Sequence, residues 1–164
     1  MAGVPTLTDG LRVADASNPL GYFEWEAVKK ITEDPQSIGK AEGKVVKVIS
    51  ALLPHLPAGW NYEVIFMRRN TAAILRSQEE MVARLGGASV SLATDELELH
   101  LQTTLEGLRQ RSDVRLLEVD YDGLIDHPKE SVQQLVDFVG PERLRRVAAL
   151  RSSIRADLRH HAPL

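Results

Sequence analysis

The sequence predicts an α/β domain in which a parallel sheet carries helices on both faces. Short β-branched runs occur at residues 44–50 and 62–67, where Gly, Pro or Asn residues bound them, and a further strand-like run occurs at 114–120. Between the later runs, apolar residues recur three to four positions apart, as in amphipathic helices. Strands that alternate with helices indicate a parallel sheet covered by helices, so these two observations together give the fold class.

Composition and charge fit one domain, which we expect to span residues 1–164. The hydrophobic fraction of 43% and the charged fraction of 26% are typical of a globular protein and not of a disordered one. The net charge of −3 gives no global attraction to nucleic acid or to an anionic membrane, and we expect neither as a partner. No cysteine, signal peptide or bilayer-length apolar run occurs, so we expect a cytoplasmic protein.

The first half of the chain predicts one short helix and two strands. Residues 21–30 favour a helix that Pro35 ends. KVVKVIS at 44–50 and YEVIFM at 62–67 favour strands buried on both faces, because polar residues do not alternate regularly within them. Residues 4–7 could add a further strand, although the sheet would still be narrow.

The second half predicts helices around one more strand. The elements are, in order, a helix from Thr71 that Asn70 caps and Gly86-Gly87 ends, a helix at 93–111, a strand at 114–120, a helix from Pro128 to Gly140, and a helix from Pro141. Ligands of parallel sheets bind beyond the carboxyl ends of the strands. Site residues are therefore expected at 50–55, 68–70 and 120–122.

The segment VIFMRRNTAAILRS at 64–77 has the most informative pattern. Arg69 follows the end of a buried strand, and Ser77 comes eight residues later on the next helix. The planar guanidinium of Arg69 suits a phosphate, and the Ser77 hydroxyl can donate to a second phosphate oxygen. The alternative is that Arg69 pairs with a carboxylate and that Ser77 has no ligand. Spacing alone leaves both interpretations open.

This segment resembles the 3′-phosphate-binding motif of sulfotransferases that use 3′-phosphoadenosine-5′-phosphosulfate. Three further segments resemble the same family, including bacterial sulfotransferase-like proteins, in the same order: NPLGYFEWEAVKKI at 18–31, KVVKVISALLPHLP at 44–57 and LLEVDYDGLIDHPKESVQQLVDFVG at 116–140. The resemblance implies a P-loop-NTPase-like sulfotransferase fold and transfer of a sulfuryl group to a hydroxyl or amine, without a metal. It also implies that Arg69 and Ser77 bind the 3′-phosphate of that co-substrate.

Two departures from the family pattern bear on activity. The G-x-P-R-S-G-T loop that cradles the donor's 5′-phosphosulfate is missing, and MAGVPTLTDG resembles sequence that follows it. We therefore expect an N-terminally truncated domain with weak or no activity. The family's Lys-x-His pair keeps its lysine as Lys47, but Ile49 stands in the histidine position.

The resemblance implies that Glu24 is the candidate base for the acceptor proton. It also implies that Lys47 stabilises charge on the bridging oxygen of the donor. The alternative for Glu24 is an exposed acid favoured by a helix dipole, and the alternative for Lys47 is a solvated side chain that flanks a strand. Tyr121, after the last strand, is expected to pack. The arginines between 143 and 159 are expected on a solvated helical surface, and no metal site is expected.

An alternative function is a non-catalytic remnant that binds a nucleotide or another protein. A sheet edge without its neighbouring strand would favour partner addition or a homo-oligomer. A P-loop kinase is disfavoured because no G-x-x-x-x-G-K-[ST] motif occurs. The sequence identifies neither the acceptor nor the oligomeric state.

Overall fold

Two parallel strands, β1 (Tyr62–Arg68) and β2 (Val114–Asp120), form the sheet. The computed structural model describes residues 3–15, 18–84, 86 and 93–159. The register pairs Arg68 with Asp120, so the carboxyl ends of the strands are level. Both of these strands were predicted, and the α/β class with a parallel sheet is confirmed at this level.

Helices make up most of the remaining regular structure. The α-helices in the described part of the chain are α1 (Thr71–Arg84), α2 (Thr94–Gln110), α3 (Tyr121–Asp126), α4 (Pro128–Val139) and α5 (Val147–Ser152). Short 3₁₀ helices occur at Glu26–Lys30, Pro35–Ala41, Ser50–His55 and Ala156–Leu158. Within the same ranges, no helix has the length and apolar content that a membrane crossing requires.

Local side-chain bonds fix the starts of the helices that flank the site. Asn70 Oδ1 accepts from the Ala73 N–H at 3.0 Å, which confirms the predicted cap of α1. Asp120 Oδ2 accepts from the Gly123 N–H at 2.5 Å and caps α3, a helix that was not predicted. Gly140, with φ at +101°, ends α4 as expected.

The predicted strand at 44–50 is wrong. Only Val45 has strand-like pairing: its N–H donates to Pro5 O and its carbonyl accepts from the Leu7 N–H, both at 2.8 Å. The possible strand at 4–7 also forms only one isolated β-bridge, between Thr6 and Val45. A β-branched run becomes a strand only where a neighbour supplies ladder hydrogen bonds along its length, and here one residue has such a neighbour. Ser50 then begins a 3₁₀ helix.

The main core lies on one face of the sheet. Phe66 of β1 is buried and packs, with Val64 and Leu116, against Leu105 and Leu108 of α2. Side chains from the 3₁₀ segments complete this cluster: Trp25, Val28, Ile31, Ile38, Leu53 and Leu56. The core therefore joins the N-terminal half of the chain to α2 through the sheet.

A second apolar cluster forms around α4. Val132 is fully buried and packs with Val136 and Leu144, beside the partly buried Leu150. Strand periodicity places Arg115 on the face opposite the main core, and its guanidinium donates to the Phe138 carbonyl at 3.0 Å. Helix α4 therefore borders the face opposite α2. The helix expected from Pro141 begins later, as α5.

Candidate functional site

The carboxyl ends of β1 and β2 form the edge of the candidate site. Because Arg68 pairs with Asp120, the residues that follow each strand, Arg69 and Tyr121, become neighbours. The guanidinium carbon of Arg69 lies 4.7 Å from the centroid of the Tyr121 ring, and Nε of Arg69 is buried. An aromatic face beside a guanidinium attracts its charge and limits its orientations.

Helix α1 begins two residues after this arginine, at Thr71. The amino end of a helix carries a positive partial charge from its unpaired N–H groups. Together with Arg69, it gives a locally positive region in a chain whose net charge is −3. The hydroxyl of Thr71 donates to Glu98 at 2.8 Å and is committed to that bond. The positive region suits an anion such as a phosphate.

Ser77 is half-buried on α1, six residues after Thr71. At 1.5 Å per residue it lies about 9 Å along the helix axis from the first turn. It shares a helix face with the buried Ala73, four residues earlier. Arg69, Ile74 and Gln78 line a cavity beside β1, whereas Ser77 is not part of that lining. The strand–helix unit carries both predicted phosphate ligands, but only Arg69 borders the cavity.

Glu24 and Lys47 lie next to each other, although 22 intervening residues separate them in the chain. Glu24 Oε1 is 3.6 Å from Lys47 Nζ and 3.4 Å from Arg12 Nη1, while Oε2 is 3.4 Å from Lys29 Nζ. The carboxylate is 19% exposed, so it is not the open surface acid of the alternative interpretation. Lys47 Nζ also donates to the Tyr22 carbonyl at 3.2 Å. Three cations thus surround the candidate base.

One cavity of about 1740 Å³ connects the two halves of the predicted site. Lys47 lies in its wall on one side and Arg69 at the end of β1 on the other. Glu24 is not part of the lining. Lys47 and Arg69 therefore line the same cavity. Glu24 contacts Lys47 but does not line the cavity, and Ser77 does not line it either.

Glu118 of β2 lies beside this edge and pairs with Arg68, the residue that precedes Arg69. Glu118 accepts from Arg68 at 3.1 Å and also pairs with Arg109. Burial raises the pKa of Glu118, but the ion pairs with the two arginines outweigh burial and leave the pKa below its usual value. Glu118 and Arg68 lie diagonally across the β1–β2 ladder, so the pair could be found only once the strand register was known.

Tyr121 is the site residue whose contact the sequence did not predict. It was expected to pack, but its ring lies under the guanidinium of the proposed phosphate ligand. The contact could be inferred from the strand register, because Arg68 pairs with Asp120 and Arg69 and Tyr121 each follow one of these paired residues.

Three of the C-terminal arginines, Arg143, Arg155 and Arg159, pair with carboxylates. Arg159 was expected on a solvated surface, but its side chain is only 17% exposed and pairs with Asp122 at 2.6 Å and Asp126 at 2.9 Å. Arg143 pairs with Glu63 of β1 at 2.5 Å. In the part of the chain that the structure describes, no group of three His, Asp or Glu side chains could hold a metal ion.

No protein-family description, curated protein or solved structure matches the chain. The likeness to sulfotransferases therefore depends on the four sequence segments given above.

Proposed function

We propose that this chain is a sulfotransferase-like domain that binds the 3′-phosphate of 3′-phosphoadenosine-5′-phosphosulfate at the carboxyl end of β1. The observation that carries the proposal is the position of Arg69. Its guanidinium lies over the Tyr121 ring, beside the amino end of α1 and in the wall of the cavity. Arg69 supplies a forked donor and the helix end supplies partial positive charge, whereas the role of the Ser77 hydroxyl is supported by the sequence resemblance alone, since Ser77 does not line the cavity.

In the proposed reaction, the sulfuryl group passes in line from the donor to a hydroxyl or amine of the acceptor. Lys47 stabilises charge on the bridging oxygen, and its place in the cavity wall is compatible with that role. Glu24 removes the acceptor proton once it is released from at least one of its cations. The bond between sulfur and the bridging oxygen breaks, adenosine 3′,5′-bisphosphate leaves with the bonding electrons on that oxygen, and no metal is needed.

The second candidate function is nucleotide binding without sulfuryl transfer. The arrangement around Glu24 favours it, because Arg12, Lys29 and Lys47 all lie within 3.6 Å of the carboxylate oxygens. A base needs an accessible lone pair directed at the acceptor. A carboxylate paired with three cations is better suited to stabilise the contact between the N-terminal segment and Lys47 than to remove a proton.

Calorimetry with adenosine 3′,5′-bisphosphate tests the binding that both candidates share. We expect saturable binding, and we expect Arg69→Ala to weaken it about tenfold or more, since a hydrogen bond to a charged group contributes about 1.5–3 kcal/mol. Arg68→Ala is the matched control, because Arg68 pairs with Glu118, and its affinity should stay within about threefold of the unchanged chain. No heat at millimolar ligand would rule out both candidates.

A transfer assay separates the two candidates. The unchanged chain is incubated with 3′-phosphoadenosine-5′-phosphosulfate and a mixture of phenols, alcohols and amines, and released adenosine 3′,5′-bisphosphate is measured. Acceptor-dependent release that Glu24→Gln removes supports the transferase. Tight binding without acceptor-dependent release supports the nucleotide-binding domain.

A further inference from the structure

One edge of β1 has unpaired backbone groups. The Tyr62 N–H donates to the Asp113 carbonyl at 2.8 Å, so the even-numbered residues of β1 direct their backbone groups towards β2. The N–H and C=O groups of Glu63, Ile65 and Met67 therefore point to the opposite edge. Within the described residues, no backbone hydrogen bond reaches these groups. The sheet thus presents a ladder of donors and acceptors along one side.

This edge opens into the cavity, which has a second polypeptide wall. Residues 44–48 form that wall, and Val45 is bonded to Pro5 and Leu7. The cavity, about 1740 Å³, extends along β1 between these two walls. We call the space between residues 44–48 and β1 the slot.

Both apolar clusters line the slot. Leu53, Phe66 and Leu105 reach it from the main core, and Leu135, Val139 and Leu144 reach it from the cluster around α4. A strand directs alternate side chains to opposite faces. A strand in the slot would therefore place apolar side chains against both clusters, as in the buried strands of parallel sheets.

Two side chains of β1 show that this region is incompletely covered. Ile65 is 38% exposed and Met67 is 44% exposed, although both belong to a strand and line the slot. Their exposure would fall if a neighbouring strand lay beside β1. Exposed apolar side chains next to unpaired backbone groups are the features of a strand-accepting edge.

Charge favours one orientation of an added strand. Arg69 lines the slot at the carboxyl end of β1 beside the positive end of α1, and the charge of Arg68, which also lines the slot, is already paired with Glu118. A strand parallel to β1 would place its own carboxyl end there. An acidic residue following the apolar run would then meet positive charge, whereas an antiparallel strand would place its amino end there.

We propose that the slot accepts an extended apolar segment of a partner polypeptide, which adds to β1 as a third, parallel strand. The segment matches the seven residues of β1, which span about 23 Å at 3.3 Å per residue. It has apolar residues on both faces, has no proline at the pairing positions and is followed by an acidic residue. The interaction is strand addition, in which main-chain bonds give affinity and alternate side chains give selectivity.

A second copy of this chain fits the slot less well than a separate segment. The free edge of β1 lies inside its own slot, so the β1 strands of two copies cannot meet without displacing residues 44–48. In the described ranges, the β-branched run that is not in a strand is 44–50, and it already forms the wall. A single extended segment, whose two edges are both unpaired, can enter the slot without displacing residues 44–48.

Fluorescence anisotropy with a labelled peptide tests the proposal. The probe has two lysines for solubility, seven alternating valines and isoleucines, and a final aspartate. We expect saturable binding to the full chain. The same peptide with N-methyl groups on alternate residues cannot donate to β1 and should bind at least about tenfold more weakly. Equal binding of the two peptides, or no binding of either, would overturn the proposal.

A variant of β1 tests where the peptide binds. Ile65→Pro removes one N–H that faces the slot and leaves the bonds to β2, since Ile65 does not donate to that strand. We expect at least about tenfold weaker peptide binding, whereas Ile65→Val, which keeps the donor, should stay within about threefold.

Amide exchange of the unchanged chain gives a second readout that does not depend on any variant folding. Bound peptide should slow exchange at Ile65 and Met67 at least tenfold, and unchanged rates would contradict strand addition. Sedimentation is measured in parallel. A dimer in which these amides are already protected would show that a second copy occupies the slot, and would overturn the assignment to a partner.

Discussion

The guanidinium carbon of Arg69 lies 4.7 Å from the centroid of the Tyr121 ring. The register of the sheet produces this contact, because Arg68 pairs with Asp120 and the next residue of each strand lies just beyond the paired ends. The ring limits the orientations of the cation before any ligand arrives, which lowers the entropy cost of binding. A backbone property, the strand register, thus positions the side chain proposed to bind phosphate.

Replacing the ring should weaken nucleotide binding through the arginine. We expect Tyr121→Leu to lower the affinity for adenosine 3′,5′-bisphosphate about three- to tenfold, because a cation–π contact contributes roughly 0.5–2 kcal/mol. Tyr121→Phe keeps the aromatic face and should bind like the unchanged chain. Calorimetry measures both. If the Phe and Leu variants lose equal affinity, the hydroxyl and not the ring positions Arg69.

The core between α2 and the sheet should dominate stability. Leu108 is 2% exposed in the main core, so Leu108→Ala should reduce the free energy of unfolding by about 2–5 kcal/mol. Leu99, on the same helix, is 64% exposed, and Leu99→Ala should change that free energy by less than about 0.5 kcal/mol. Urea titration followed by circular dichroism compares the two. Equal losses would contradict the placement of the core.

The Asp113–Arg111 pair should contribute a stability that depends on pH. Hydrogen bonds from Arg111 hold the pKa of Asp113 below its ordinary value of 3.8. A carboxylate with a lowered pKa stabilises the folded state above 3.8, and this contribution disappears as the pH falls through the lowered pKa. The difference in unfolding free energy between the unchanged chain and Asp113→Asn should therefore be constant from about pH 5 to 7 and shrink in more acid solution.

The same series contains its own check. Arg111 also donates to the Leu56 carbonyl at 2.8 Å, and that bond does not titrate in this range. A difference between the two proteins that stays undiminished down to pH 2 would mean that the charge of Asp113 does not contribute.

The C-terminal segment should depend on Arg159. This side chain pairs with Asp122 and Asp126 of α3, so Arg159→Ala should release the segment and speed its removal by trypsin at Arg155. Arg145→Ala, which removes only a bond to the Glu142 carbonyl, is the matched control and should leave the cleavage rate at Arg155 nearly unchanged. Mass spectrometry of a digestion time course gives both rates. Equal acceleration in the two variants would show that Arg159 does not anchor the segment.

Elements with strong local signals could be predicted from the sequence. The β-branched run of β2, ended by Asp120, and the Asn70 cap of α1 depend on neighbours in the chain and were placed correctly. The run at 44–50 has the same composition as a strand, but pairing needs a neighbour, and only Val45 has one. Helix α3 was missed although the Gly123 N–H donates to the Asp120 side chain in a cap as local as that of α1, because a helix of six residues is too short to show apolar periodicity.

In the candidate site, too, local features could be predicted and contacts between distant segments could not. The position of Arg69 just beyond the end of β1 could be predicted, since it follows from consecutive residues, but the expected burial of that strand on both faces is wrong, because Ile65 and Met67 are exposed. Its contact with Tyr121 requires the register of two strands far apart in the chain. The cations around Glu24 come from separate segments, at Arg12, Lys29 and Lys47, and no local pattern brings them together.

The most direct test of the phosphate site compares two ligands on two proteins by calorimetry. Adenosine 3′,5′-bisphosphate and adenosine 5′-monophosphate differ only in the 3′-phosphate. The unchanged chain should bind the bisphosphate at least about tenfold more tightly, and Arg69→Ala should lose most of that preference. A preference that survives in Arg69→Ala, or equal affinities in the unchanged chain, would contradict the assignment of Arg69 to the 3′-phosphate.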